Sequence, residues 1–206
     1  MTTRELLARA TADHRAGRLD RAEAAYAQVL KDEPGNADAL HLLGVVFLQR
    51  SRFAEAVAHL RKAAAAAPKR ADVLSHLGMA LKGEGKLEQA VEAYRQAVAA
   101  SDSYAEGHYN LANALAELDR NAEAETAYRK ALTLQPSAVV HNNLGTLLWR
   151  QGRLAEADEE FQAAVKLDAK NAEVHNNLGA LLKDRNRFDA AAEAFERALA
   201  LKPDFS

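Results

Sequence analysis

The pair Leu-Gly, or Leu-Ala, returns at Leu43-Gly44, Leu77-Gly78, Leu111-Ala112, Leu144-Gly145 and Leu178-Gly179, in steps of 34, 34, 33 and 34 residues. A unit of that size cannot hide an apolar face by itself, so the period demands a stack in which each unit is covered by its neighbours. A single globular core is excluded, and the 206 residues are expected to form one array.

Counting back seven residues from each Gly or Ala, and from Ala10 where Arg9-Ala10 replaces the pair, gives six units, 3–36, 37–70, 71–104, 105–137, 138–171 and 172–205. Position eleven is Phe47, Leu81, Leu115, Leu148 and Leu182, with Asp13 as the exception. Position fifteen is Gly17, Gly85 and Gly152, or Ser51, Asp119 and Asn186, where a helix is expected to end in a turn. Position twenty is always alanine, and position twenty-four is always large: Tyr26, Leu60, Tyr94, Tyr128, Phe161 and Phe195. Position twenty-seven is Val29 and then alanine, so small, large and small residues share one helical stripe. Each unit therefore predicts a hairpin of two helices of about 14 residues, roughly 21 Å long. Pro34, Pro68, Pro136 and Pro203 break the second helix, while Asp102 and Ala169 replace proline and leave those two links less defined. Thr2 and Glu5 have the spacing of a capping box.

Composition narrows the function. A formal charge of -2 gives no long-range pull toward nucleic acid or an anionic membrane. No cysteine is present, which excludes disulfides and thiolate chemistry and agrees with a reducing compartment. No run approaches the length of a membrane span and the first residues carry no apolar signal segment, so a cytoplasmic protein is expected. There is no phosphate-cradling glycine loop and no nucleophile motif, and neither enzymatic activity nor a cofactor or metal is expected.

Leu-Gly at positions seven and eight, alanine at twenty and twenty-seven, an aromatic at twenty-four and proline at thirty-two resemble the tetratricopeptide repeat family. The resemblance implies an all-α fold, a right-handed superhelical solenoid of six hairpins whose first helices line a concave face. It also implies a protein-interaction scaffold holding a peptide or partner protein in that groove, through positions two, five, six, nine, twelve and thirteen. Position six carries Asn110, Asn143 and Asn177, and Asn113, Asn142 and Asn176 stand close by. An asparagine offers both donor and acceptor, so a row of them can hold a peptide backbone without selecting a side chain. The same residues are open to a second reading, as helix-surface or inter-repeat groups. Tyr109 and Trp149 are candidate aromatic anchors, and Lys82, Lys183 and Arg150 candidate partners for acidic groups. The His-Asn-Asn-Leu-Gly strings at 141–145 and 175–179 are similar to the repeat region of O-linked N-acetylglucosamine transferases, which implies a substrate-recruiting arm as an alternative.

His108, His141 and His175 recur at position four, too far apart to share a metal and expected to pack between helices. Glu156, Asp158, Glu159 and Glu160 are expected to favour the positive end of a second helix. No capping segment is evident after the sixth unit. The expectation is a piece of a longer protein, or self-association through terminal repeats as a structural module.

Overall fold

The computed structural model describes residues 2–203. Among them are twelve helices: α1 (Thr3–Arg15), α2 (Leu19–Asp32), α3 (Ala37–Gln49), α4 (Phe53–Ala66), α5 (Ala71–Gly83), α6 (Leu87–Ala100), α7 (Ala105–Glu117), α8 (Asn121–Leu134), α9 (Ala138–Arg150), α10 (Leu154–Leu167), α11 (Ala172–Asp184) and α12 (Phe188–Leu201). Each expected unit supplies one pair. Asp204 and Phe205, at the end of the sixth unit and its terminal segment, lie outside the described residues.

The chain divides into two compact units, Met1–Ala114 and Leu115–Ser206, with the boundary inside α7. In the first, the hairpins α1/α2, α3/α4 and α5/α6 stack with α2 on α3 and α4 on α5. First helices also touch first helices there, α1 with α3 and α3 with α5. In the second, α8 packs on α9, α10 on α11 and α9 on α11, around the hairpins α9/α10 and α11/α12.

The sequence columns explain this packing. Position-twenty alanines are buried in every hairpin, from Ala22 to Ala191. In four hairpins the large residue at twenty-four lies directly on the glycine at position eight. A methyl added at Gly78 would stand 2.5 Å from the Tyr94 ring, and one added at Gly44 would stand 2.6 Å from Leu60. At Gly145 and Gly179 the same approach is made by Phe161 and Phe195, at 2.9 Å. The absent side chain sets how closely the two helices of a pair approach. Between hairpins, Leu40, Ala63 and Val73 form a buried cluster, with Leu30 and Ala64 packed against it.

Position fifteen takes positive φ in all six units: 71°, 76° and 77° at Gly17, Gly85 and Gly152, and 55°, 56° and 57° at Ser51, Asp119 and Asn186. That left-handed residue lets the next N–H return to the helix. Arg18, Arg52, Lys86, Arg120, Arg153 and Arg187 donate backbone N–H bonds of 2.9–3.0 Å to the carbonyls of residues 13, 47, 81, 115, 148 and 182. Asp13, the polar exception at position eleven, is buried and accepts a 2.7 Å bond from Arg18 Nε in the same turn. At the chain start, Thr2 and Glu5 form the expected capping box.

The links between hairpins run through residues 33–36, 67–70, 101–104, 135–137 and 168–171. The two without proline are held by histidine. His108 Nε2 donates to the carbonyl of Asp102 and His175 Nε2 to that of Ala169, each at 3.0 Å. This corrects the expectation that these links are less defined: both rings are buried, and each holds the carbonyl of the residue that replaces proline. His141, beside a link that contains Pro136, turns instead to Glu160 at 2.6 Å.

Candidate functional site

The first helices carry the residues that the sequence marks for binding, and a recurring bond joins them. Position six of one hairpin bonds position five of the hairpin before it. His76 Nδ1 lies 3.0 Å from His41 Nε2, Asn110 Nδ2 donates to Ser75 Oγ at 3.3 Å, and Asn177 Nδ2 donates to Asn142 Oδ1 at 3.0 Å. The position-five members His41, Ser75 and Asn142 are buried, whereas Asn110 and Asn177 are half-buried. One N–H of each amide is committed to the neighbouring repeat. The oxygen and the second N–H are not consumed by that bond.

In the second unit these groups line a trough of about 340 Å³, formed by Asn142, Asn143, Thr146, Arg150, Glu173 and Asn177 with neighbouring apolar residues. Asn142 Nδ2 also donates to Glu173 Oε1 at 3.2 Å. Arg150, two-thirds exposed, stands 3.9 Å from Asp119. Glu173, Thr146 and Tyr128 were not among the sequence candidates. Glu173 was within reach, because it occupies position two, one of the groove positions.

The remaining candidates are distributed. Asn176 and Lys183 lie on α11, half-buried and exposed respectively. Trp149 Nε1 donates to Asp184 Oδ2 at 2.9 Å, and its ring meets Phe161 edge-on at 6.5 Å between centroids. The indole thus bridges two hairpins. In the first unit, Lys82 on α5 and Tyr109, Asn110 and Asn113 on α7 are all half-buried.

A second junction pattern escaped the sequence reading. Position sixteen is basic in every unit, and at several junctions it meets an acid at position twenty-one of the preceding unit. Arg52 bonds Glu23 at 2.8 Å and Arg153 bonds Glu125 at 2.5 Å, while Arg187 lies 3.7 Å from Asp158. The Arg153 hydrogen bond, followed by that from Arg129, holds the Glu125 carboxyl below its ordinary range. Three of the four acids near the start of α10 therefore have partners other than the helix end. Asp158 is buried against Arg185, Glu156 bonds Arg153, and Glu160 bonds His141. The basic column was readable by alignment of the six units, but position twenty-one is acidic only at Glu23, Glu125 and Asp158, and the pairing depends on how neighbouring hairpins dock.

Among the described residues no cluster of three or more His, Asp or Glu side chains is placed to hold a metal ion. No described helix is long and apolar enough to cross a membrane.

Comparison with solved structures places this arrangement among repeat folds. PilF of Pseudomonas aeruginosa superposes with a TM-score of 0.84 at 22% identity, covering 98% of this chain and 92% of the other. YrrB, described as a TPR protein with an unusual peptide-binding site, gives 0.71 at 19%, covering 88% and 94%. MamA of Desulfovibrio magneticus RS-1, in a form spanning residue 41 to the end, gives 0.74 at 21%, covering 82% and 97%. No match is found among curated proteins. One tetratricopeptide repeat model matches residues 7–71 and 76–139, and a second matches residues 136–204. With its hairpins, its turn geometry and these matches in agreement, the chain belongs to the tetratricopeptide repeat family.

Proposed function

We propose that this protein is an interaction scaffold that holds an extended segment of a partner polypeptide against its first helices. Asn142, Asn143 and Asn177 form the contact surface in the second unit, and Asn110, Asn113 and Tyr109 contribute in the first. The observation that carries the reading is the amide-lined trough on α9 and α11, which brings three asparagines together with Glu173 and Arg150. The description of YrrB as having a peptide-binding site supports it. Asn176, Trp149, Lys82, Lys183 and Arg150 complete the proposed surface, with the cations suited to acidic side chains.

In this reading the stretches 3–36, 37–70, 71–104, 105–137, 138–171 and 172–205 act as units of one array. A second reading, carried by the likeness of the His-Asn-Asn-Leu-Gly strings alone, is the substrate-recruiting arm of a glycosyltransferase-like enzyme. Self-association through terminal repeats is the third.

The test is the triple variant Asn110→Ala, Asn143→Ala, Asn177→Ala, compared with the parent on a random pool of extended peptides. Helicity should be retained by circular dichroism. Affinity should fall about tenfold or more, since each hydrogen bond contributes about 0.5–1.5 kcal/mol. Equal binding by parent and variant rejects the amide surface, and a molecular mass by light scattering that rises with concentration in the absence of peptide favours self-association.

A further inference from the structure

We propose that Glu173 sets the hydrogen-bond polarity of the second-unit trough, so that the oxygen of Asn177 is turned to the trough and accepts a backbone N–H of the bound strand. This rests on the peptide-binding reading above and names the group that the ligand offers there.

The argument starts from the chemistry of a carboxylate, which carries lone pairs and no hydrogen to give. The 3.2 Å contact between Glu173 Oε1 and Asn142 must therefore be donated by Asn142 Nδ2. An amide is planar with its oxygen and nitrogen on opposite arms, so Asn142 Oδ1 is turned the other way. There it accepts the 3.0 Å bond from Asn177 Nδ2. Asn142 is buried, and reversing its amide would set its N–H₂ against the Nδ2 of Asn177 and its oxygen against a carboxylate. The second amide inherits the choice made at the first. Asn177 spends an N–H on Asn142, and its Oδ1, on the opposite arm, remains for the trough that the residue lines.

The first unit supplies the contrast. Asn110 Nδ2 meets Ser75 Oγ at 3.3 Å, and a hydroxyl both gives and accepts, so no fixed polarity follows there. An extended peptide can make this bond in the second unit because its backbone N–H groups face one edge at regular intervals. A proline at the residue opposite Asn177 cannot.

The experiment uses the intact chain and, as probe, the tightest-binding member of a random peptide pool, together with a scan in which each backbone N–H is replaced by an ester oxygen. In the parent, one ester position should weaken binding about three- to tenfold, the affinity carried by one hydrogen bond. That penalty should vanish in Asn177→Ala. It should also shrink in Glu173→Gln and vanish in Glu173→Lys, whose ammonium reverses both amides. Side-chain amide NMR checks the same point without ligand: Asn142 and Asn177 each give one slowly exchanging N–H₂ pair in the parent, and these change in Glu173→Lys while helicity is kept. An unchanged ester penalty in the two Glu173 variants overturns the relay and leaves the peptide-binding reading standing. Absence of binding by every peptide in the pool removes both.

Discussion

His41 lies buried on α3, with His76 Nδ1 3.0 Å from its Nε2 and an Arg70 Nη2 3.1 Å from its Nδ1. Burial first, then the neighbouring His76, pushes it from an ordinary 6.5 down to about 4. A folded-state value below the unfolded one means that the unfolded chain binds the extra proton between the two. Stability is therefore full above about pH 6.5 and declines as pH falls toward about 4. Asp72, held below its ordinary 3.8 by the Arg70 hydrogen bond, contributes stability that is lost only at still lower pH. Urea unfolding across this range should show the upper window in the parent and a flattened one in His41→Asn, which keeps a polar group at position five. An unchanged slope would assign the window to another group. At this scale the sequence was half legible. The asparagines at positions five and six stood out by recurrence, but their partners did not, because each bond crosses to another hairpin and depends on how the two helices are set side by side.

The hairpin is the element that sequence described best. Its helix lengths and its turn follow from columns in which each residue type has one physical use, whereas the contact of the glycine at position eight with the large residue at twenty-four shows only once the two helices are paired. Position fifteen shows the remaining variation, because Ser51 adopts φ 55° where Gly17, Gly85 and Gly152 take the same region without a side chain. Left-handed backbone costs an L-residue about 1–2 kcal/mol, partly offset by the greater entropy that glycine loses on folding. Ser51→Gly should therefore stabilise the chain by about 0.5–1 kcal/mol, read as a higher urea midpoint at unchanged slope. Asn186→Gly should gain less, since asparagine tolerates this geometry. The links between hairpins were harder to read. Proline announces itself, whereas a histidine that holds a carbonyl six residues earlier looks like any buried ring until the backbone is folded.

At the scale of the molecule, each unit is held by contacts between neighbouring hairpins, so stability is expected to vary along the chain rather than be shared evenly. In the second unit, α9 packs on α8, α10 and α11 and buries Val140, Leu144, Leu147 and Leu148. Among the described helix pairs α12 packs on α11 alone, buries Ala191, Ala194 and Ala198, and leaves Phe188, Leu199 and Leu201 exposed. Native-state hydrogen exchange should release the amides of α12 well before those of α9. Equal protection of the two would show that the unit opens as one body. The bonds between repeats carry a further consequence. His41 to His76, Ser75 to Asn110 and Asn142 to Asn177 each span 35 residues, as do His14 to Gln49 and Trp149 to Asp184. Change in chain length is thereby quantised: removing or duplicating a whole block brings another position five opposite another position six, while inserting a few residues into a helix rotates the partners that follow in that helix off their mates in the neighbouring repeat.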